Sequence, residues 1–308
     1  MIQTINNISV TGKLVKVALE KKEGQNGEYI GGSLILRTID GSEHEINYYA
    51  NRYKKDKDGN LTSEESSLYK GLETVINEYK SLETNPEDAD IVKVGACEFG
   101  IQDYVSKQDQ LLKSFNDIKA KFANRLTSQE VETTPQVATF EVQGIITKID
   151  NELKKEQPTG NLEIHIDAIG YGGTIIPVKL IVPEAMVEPF SKAGFYESGV
   201  AKFSGKIINT KTTETITEQQ AFGEPIVKTV TTTVRRYEIT GGTPQGTVYD
   251  IKLTDEEYET AKSKRRLKLT EIKNKANNQT QQIGFTASQS TTNNPFTPTG
   301  DNPFAPRQ

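Results

Sequence analysis

Six positions of this chain recur in register: Ile8, Val10, Gly12, Leu14, Lys16 and Val17 return as Phe140, Val142, Gly144, Ile146, Lys148 and Ile149. Each pair lies 132 positions apart (140 minus 8, 148 minus 16), without a gap. A match of this length and register points to two copies of one folding unit. Apolar alternation with period two makes each copy a strand, and the internal glycine marks a bulge or bend of the kind that a small barrel needs.

The segments after the two copies also match in kind. The first copy leads through Gly24 and Gly27 to Leu34, Leu36 and Ile39, a turn at Asp40-Gly41, and a strand over 43–49. The second leads through Pro158 and Gly160 to Leu162, Ile164 and Ile166, a turn over 170–173, and a strand over 174–182. These are hairpin signals. Leu68, Leu72, Val75, Ile76 and Tyr79 share one helical face over 66–79, and a shorter helix is expected over 183–194. Each half then closes with two strands, 91–101 and 111–126 in the first, 199–209 and 227–239 in the second. Three strands, a helix and two strands is the order of an OB-fold.

The expectation is a mainly β protein with two OB-type barrels in tandem, each with a helix between strands 3 and 4, plus a C-terminal helix and a disordered tail. The first barrel spans 1–130, the polar stretch 131–136 is a linker, and the second barrel spans 137–253. Thr254 and Glu257 form a capping box for a helix over 254–276, whose Lys262, Lys264, Arg265, Arg266 and Lys268 make a basic cluster. That cluster is either a solvated face or a DNA contact. Residues 277–308 are rich in Asn, Gln, Thr, Ser and Pro, a composition that leaves too little apolar surface to offset ordering entropy. Within them Asn294-Pro295-Phe296 recurs as Asn302-Pro303-Phe304, a short docking pattern that assigns Pro295, Phe296, Pro303 and Phe304 to partner binding.

Composition narrows the function. The chain has one cysteine, Cys97, and two histidines, His44 and His165, so thiolate metal clusters are excluded and acid–base chemistry is poorly supplied. No apolar run reaches membrane-spanning length, and Met1, Ile2, Gln3 and Thr4 do not begin a signal peptide. The expected location is the cytoplasm, without a membrane partner. The net charge of −5 argues against a non-specific binder of duplex DNA, though not against a local basic groove.

Between residues 104 and 125 the balance is reversed, with Lys107, Lys113, Lys119, Lys121 and Arg125 against Asp109 and Asp117. Rings interleaved with cations are what unpaired bases and phosphates require. In the first half the candidates are Arg37, Tyr48, Tyr49, Arg52, Tyr53, Lys54, Lys55, Phe99, Tyr104, Lys107, Phe115, Lys119, Lys121 and Arg125. Along the closing strand, Phe115, Lys119, Lys121 and Arg125 are expected on one face, and Ile118, Ala120 and Phe122 on the other. In the second half they are Lys148, Tyr171, Lys179, Lys206, Lys211, Lys228, Arg235, Arg236 and Tyr237. The structural alternative is that barrel aromatics fill the core and surface lysines are merely solvated.

On Phe99 to Tyr104, on Lys113, Phe115, Ile118, Lys119, Lys121, Phe122, Asn124 and Arg125, on Phe222-Gly-Glu-Pro with Lys228, Arg235, Arg236 and Tyr237, and on the Pro-Phe tail, the chain resembles single-stranded DNA-binding proteins. The resemblance is to the tandem-barrel type encoded by phages of Gram-positive bacteria, which implies the host's cytoplasm if the chain is phage-encoded. It implies sequence-independent binding of single-stranded DNA, with RNA left open, in replication or recombination, and a tail that recruits replication or recombination proteins. The acidic run of the bacterial members' tails is missing here, and Phe304 is not terminal.

Other motifs fail. Asp56, Asp58, Asn60 and Thr62 imitate a calcium loop, but Leu61 and Ser67 stand where glycine and glutamate are needed, so a hairpin tip at Asp58-Gly59 is expected. Gly170-Tyr-Gly-Gly lacks the Lys-Ser/Thr of a phosphate loop. No cofactor, metal or catalytic residue is assigned, and the chain is not expected to be an enzyme. The rival reading is a structural or protein-interaction module, such as a virion component, supported by the negative charge.

Overall fold

Fourteen strands and four helices form among the residues described in this computed structural model, 3–25, 27–218, 222–223, 225–244 and 253–285. The first half holds β1 (Asn6–Gly24), β2 (Gly27–Arg37), β3 (Glu43–Asn51), β4 (Tyr53–Lys55), β5 (Leu61–Glu65), α1 (Ser67–Glu78), β6 (Ile91–Gly95), β7 (Glu98–Val105), β8 (Leu112–Lys119), β9 (Phe122–Arg125) and α2 (Ser128–Thr133). The second holds β10 (Ala138–Lys154), β11 (Gln157–Ile169), β12 (Ile175–Val182), α3 (Glu184–Lys192), β13 (Val200–Glu218) and β14 (Ile226–Thr243), followed by α4 (Asp255–Phe285). The tail residues Pro295, Phe296, Pro303 and Phe304 lie outside the described residues.

The repeated glycine is explained by close backbone approach. A Cβ on Gly12 would lie 2.5 Å from the carbonyl oxygen of Arg37, and one on Gly144 would lie 2.4 Å from that of Asp167. Just beyond each, the register slips, between Leu14 and Lys16 against β2 and between Ile146 and Lys148 against β11. These bulges bend the two long strands, so each pairs with different partners at its two ends.

In the second half β10 pairs with β11, β11 with β12, β12 runs parallel to β14 at Ile181–Glu238, β14 pairs with β13, and β13 returns to β10 at Phe140–Gly205. This closes a five-stranded barrel. In the first half β1, β2 and β3 pair in turn, β3 runs parallel to β8 at Asn47–Lys119, and β8 pairs with β7. The return to β1 is made by β6 and by the Ile8–Cys97 bridge, with β9 alongside β6. Tyr69, Leu72 and Val75 of α1 and Phe190 of α3 bury one helical face each.

The halves meet through the repeat itself. β1 and β10 pair antiparallel with the equivalent residues Ile8 and Phe140 opposite each other, flanked by Asn6–Val142 and Val10–Ala138. Thr11 donates to the Val137 carbonyl at 3.0 Å, and its equivalent Gln143 donates to Ile5 at 2.8 Å. A local two-fold axis therefore passes between Ile8 and Phe140, and the strands join in one 12-stranded sheet. Apolar side chains of both halves form a common core.

Several expectations are corrected. The strand expected over 111–126 is interrupted at Ala120–Lys121, facing Ala96, whose φ is +48°. The break resets the alternation, so Phe122, expected on the inner face with Ile118 and Ala120, is 48% exposed. The stretch expected as linker carries α2, started by a capping box between Thr127 and Glu130. β13 and β14 run well beyond their expected ends as one long hairpin. α4 begins at its capping box as expected but continues past 276 to Phe285, because no proline interrupts propagation before Pro295. The tip at Asp58-Gly59 forms as expected, with Asp56 accepting from the backbone of Asp58 and Asn60.

Candidate nucleic-acid interface

Three neighbouring grooves cross from one half to the other. The first, of 570 Å³, is walled by Tyr29, Tyr49, Lys22, Lys119 and Lys121 over a floor of Gly31 and Gly32. It shares Asn47 and Gln102 with a second groove of 310 Å³, which adds Phe115, Asp117, His44 and Arg235. Phe115 and Arg235 in turn border a third, of 240 Å³, with Lys179, Arg236 and Glu152. Shared walls make these one trough along β2, β3, β8 and β14.

The rings come from strand alternation. Tyr49 lies between buried Tyr48 and Ala50 on β3, so its side chain leaves the barrel and stands 60% exposed. Its ring lies 5.1 Å from that of Tyr29 on β2. Gly31 makes room for this pair, since a Cβ there would come 3.1 Å from the Tyr29 ring. On β8, Phe115 is exposed and meets Tyr104 edge-on at 6.1 Å. Tyr29 was missed by sequence reasoning, although the adjacent Gly31-Gly32 pair is a signal that a ring could lie flat there.

Cations outnumber acids along the trough, with Lys22, Lys119, Lys121, Lys179, Arg235 and Arg236 against Glu45, Glu98, Asp117 and Glu152. Three of the acids are already engaged, Glu45 by the Ser33 hydroxyl at 2.9 Å, and of the cations Lys22 pairs with Glu20, Lys119 with Asp117, Lys179 with Glu163 and Arg236 with Glu152. Asp117 accepts from Asn47 and Gln102. Glu152 is raised by burial, but hydrogen bonds from Asn161 and Thr159 more than offset this and hold it below the usual carboxylate range. Burial pushes His44 down to about 4, so it is neutral at pH 7. Arg235 donates to the Asn116 carbonyl at 3.1 Å, and Asn116 donates to Pro177 at 2.8 Å, which ties β8 to the second half beneath the trough.

Phe99, expected as a contact, is fully buried, and Tyr48 and Tyr237, 4% and 8% exposed, are core rings that reach the walls of the first and third grooves only by an edge. Phe99 packs on Tyr237 at 4.8 Å and on Phe140 at 5.8 Å, which fills the space where the halves meet. The alternation of their strands was legible; the junction of the halves that covers Phe99 and Tyr237 was not, and Tyr48 is closed in by its own half, donating to the Phe122 carbonyl.

Of the other candidates, Tyr49, Phe115, Lys119, Lys121, Lys179, Arg235 and Arg236 line the trough, and Tyr104 backs Phe115. The rest line none of the three grooves. Arg37 pairs with Glu43, Arg52 with Glu28 and Glu65 while lying over Tyr53, and Lys54 with Glu64. Arg125 sits on the Tyr79 ring beside Asp90, Lys148 pairs with Asp150, and Lys206 with Glu238. Lys55, Lys107, Tyr171, Lys211 and Lys228 are exposed elsewhere. In the basic helix, Arg265 is buried in a bidentate pair with Asp103, so the cluster serves in part to dock α4. His165 bonds Glu163 at 2.7 Å, outside these grooves. Burial pushes the Cys97 thiol up to about 12.

Among the described residues no helix is long and apolar enough to cross a membrane. The single-stranded DNA-binding protein of Thermus aquaticus superposes with a TM-score of 0.45 at 12% identity, covering 83% of this chain and 99% of that one. A deletion variant of it gives 0.44, 12%, 83% and 100%. A replication protein A heterotrimer bound to ssDNA gives 0.19 at 13% identity, covering 76% and 49%. No curated protein matches the sequence. The YorF family profile matches residues 4–275, across the repeat, both halves, the trough and most of α4, and the chain therefore belongs to the YorF family.

Proposed function

We propose that this protein binds single-stranded DNA along the trough, through base stacking and phosphate pairing rather than strict sequence readout. The observation that carries the reading is the run of exposed rings and cations from Tyr29 and Tyr49 through Lys119 and Phe115 to Arg235 and Lys179. In this reading each half is an OB-type barrel, supported by the parallel β3–β8 and β12–β14 pairings that complete each circuit. The protein coats exposed strands during phage replication or recombination, the Pro295-Phe296 and Pro303-Phe304 motifs recruit partner proteins, and no catalysis is involved.

The test is fluorescence anisotropy of labelled oligo-dT against rising salt. Binding is expected to be tight at low salt, and each phosphate neutralised contributes about −0.7 to the slope of log K against log salt. Lys119→Gln with Lys121→Gln is expected to reduce that slope by up to about 1.4. Absence of binding at low salt overturns the reading and favours the assembly module, which should shift neither single-stranded nor duplex DNA.

A further inference from the structure

At the waist of the trough, where the first two grooves share Asn47 and Gln102, a buried acid stands in the middle of the ring-and-cation strand. Asp117 alternates with Phe115 and Lys119 on β8, yet it is only 3% exposed. Its neighbour on β7 makes the room, because a Cβ on Gly100 would lie 2.3 Å from Asp117 Oδ1 and 2.5 Å from the Lys119 side chain. Asp117 Oδ2 accepts from Gln102 Nε2 at 2.7 Å and from Asn47 Nδ2 at 3.3 Å. Each amide is thereby fixed with its nitrogen towards the acid. Among the described residues nothing donates to Asn47 Oδ1 or Gln102 Oε1.

We infer that this waist is a base-discriminating position that favours bases carrying an exocyclic amino group over thymine. The inference rests on the single-strand reading above. Two fixed acceptor oxygens complement an amino group, which cytosine offers at N4 and adenine at N6. Thymine has carbonyl oxygens at the corresponding edges and only one N–H. Asp117 acts as a positioning residue, since it contacts the two amides and, at 3.8 Å, the Lys119 ammonium, and not the base. A carboxylate accepts only, so it admits one orientation of each amide; an asparagine in its place would admit two.

The experiment compares oligo-dC with oligo-dT of equal length at neutral pH on the full chain, by anisotropy. One hydrogen bond retained in one complex and lost in the other predicts about 3- to 10-fold tighter binding of oligo-dC. Asp117→Asn is expected to bring that ratio towards one, chiefly by weakening oligo-dC binding, and Gln102→Leu should lower the ratio likewise if the first variant does not fold. Equal affinities in the wild type, or a preference for oligo-dT, overturn the inference yet leave the single-strand reading standing. Failure to bind either oligomer removes that reading and this one with it. A ratio unchanged in a folded variant also overturns the role of the waist.

Discussion

Replacing Tyr49 by Ala is the substitution on which the trough depends most directly. The ring projects from β3 with 60% of its surface exposed, touching Tyr29 and bonding only Asn51 through its hydroxyl. Truncation therefore opens no cavity, and the cost to stability is the loss of β-propensity and a surface contact, under about 1 kcal/mol. Stacking of a base on such a ring contributes roughly 1 to 3 kcal/mol, which predicts a Kd for oligo-dT about 5- to 150-fold weaker. Tyr49→Phe keeps the ring and should bind like the wild type. The assay is anisotropy titration beside a thermal melt. A folded Tyr49→Ala variant with less than a twofold change in Kd would refute the reasoning, because the most exposed ring of the groove would then touch no base. Tyr48→Ala, one residue away, should instead lose about 3 to 5 kcal/mol of stability by urea denaturation, as a core ring does.

Three further outcomes are expected. Arg265→Met removes the bidentate partner of buried Asp103 but leaves Lys268 at 3.5 Å and the Ser114 hydroxyl, so it should cost up to about 3 kcal/mol in urea denaturation, whereas pairing it with Asp103→Leu should recover most of that. His44 is held neutral by burial, its pKa falling from 6.5 to about 4, so the unfolded chain takes up this proton first as pH drops. Stability should accordingly be full above about pH 6.5 and fall by about 3 kcal/mol towards pH 4, a loss absent from His44→Gln in paired melts. Gly144→Ala drives a methyl against the Asp167 carbonyl and should lower stability by about 1 to 3 kcal/mol, while Gly71→Ala, with open space around it on α1, should raise it by about 0.5 to 1 kcal/mol in the same melts.

Period-two alternation, the repeated glycine and the capping box at Thr254 are local properties, and they were enough to locate the long strands, both larger helices and the start of α4. On the closing strand the same alternation set Phe115 and Lys119 on the face opposite Ile118, as observed, but it was not applied to Tyr48 and Tyr49, both of which were contact candidates although only Tyr49 faces outward. It could not decide Phe99 or Tyr237, whose outer faces are covered only because β1 and β10 bring the two halves together across the local axis. Nor could it show Phe122 turning out, since the break at Ala120–Lys121 shifts the period without any glycine or proline to mark it. The trough is likewise a tertiary product: Tyr29, Asn47, Gln102 and Arg235 are far apart in the chain, and only strand register sets them along one wall. Burial depends on what packs against a face, and that partner lies a hundred residues or so away in sequence, beyond the reach of any local pattern.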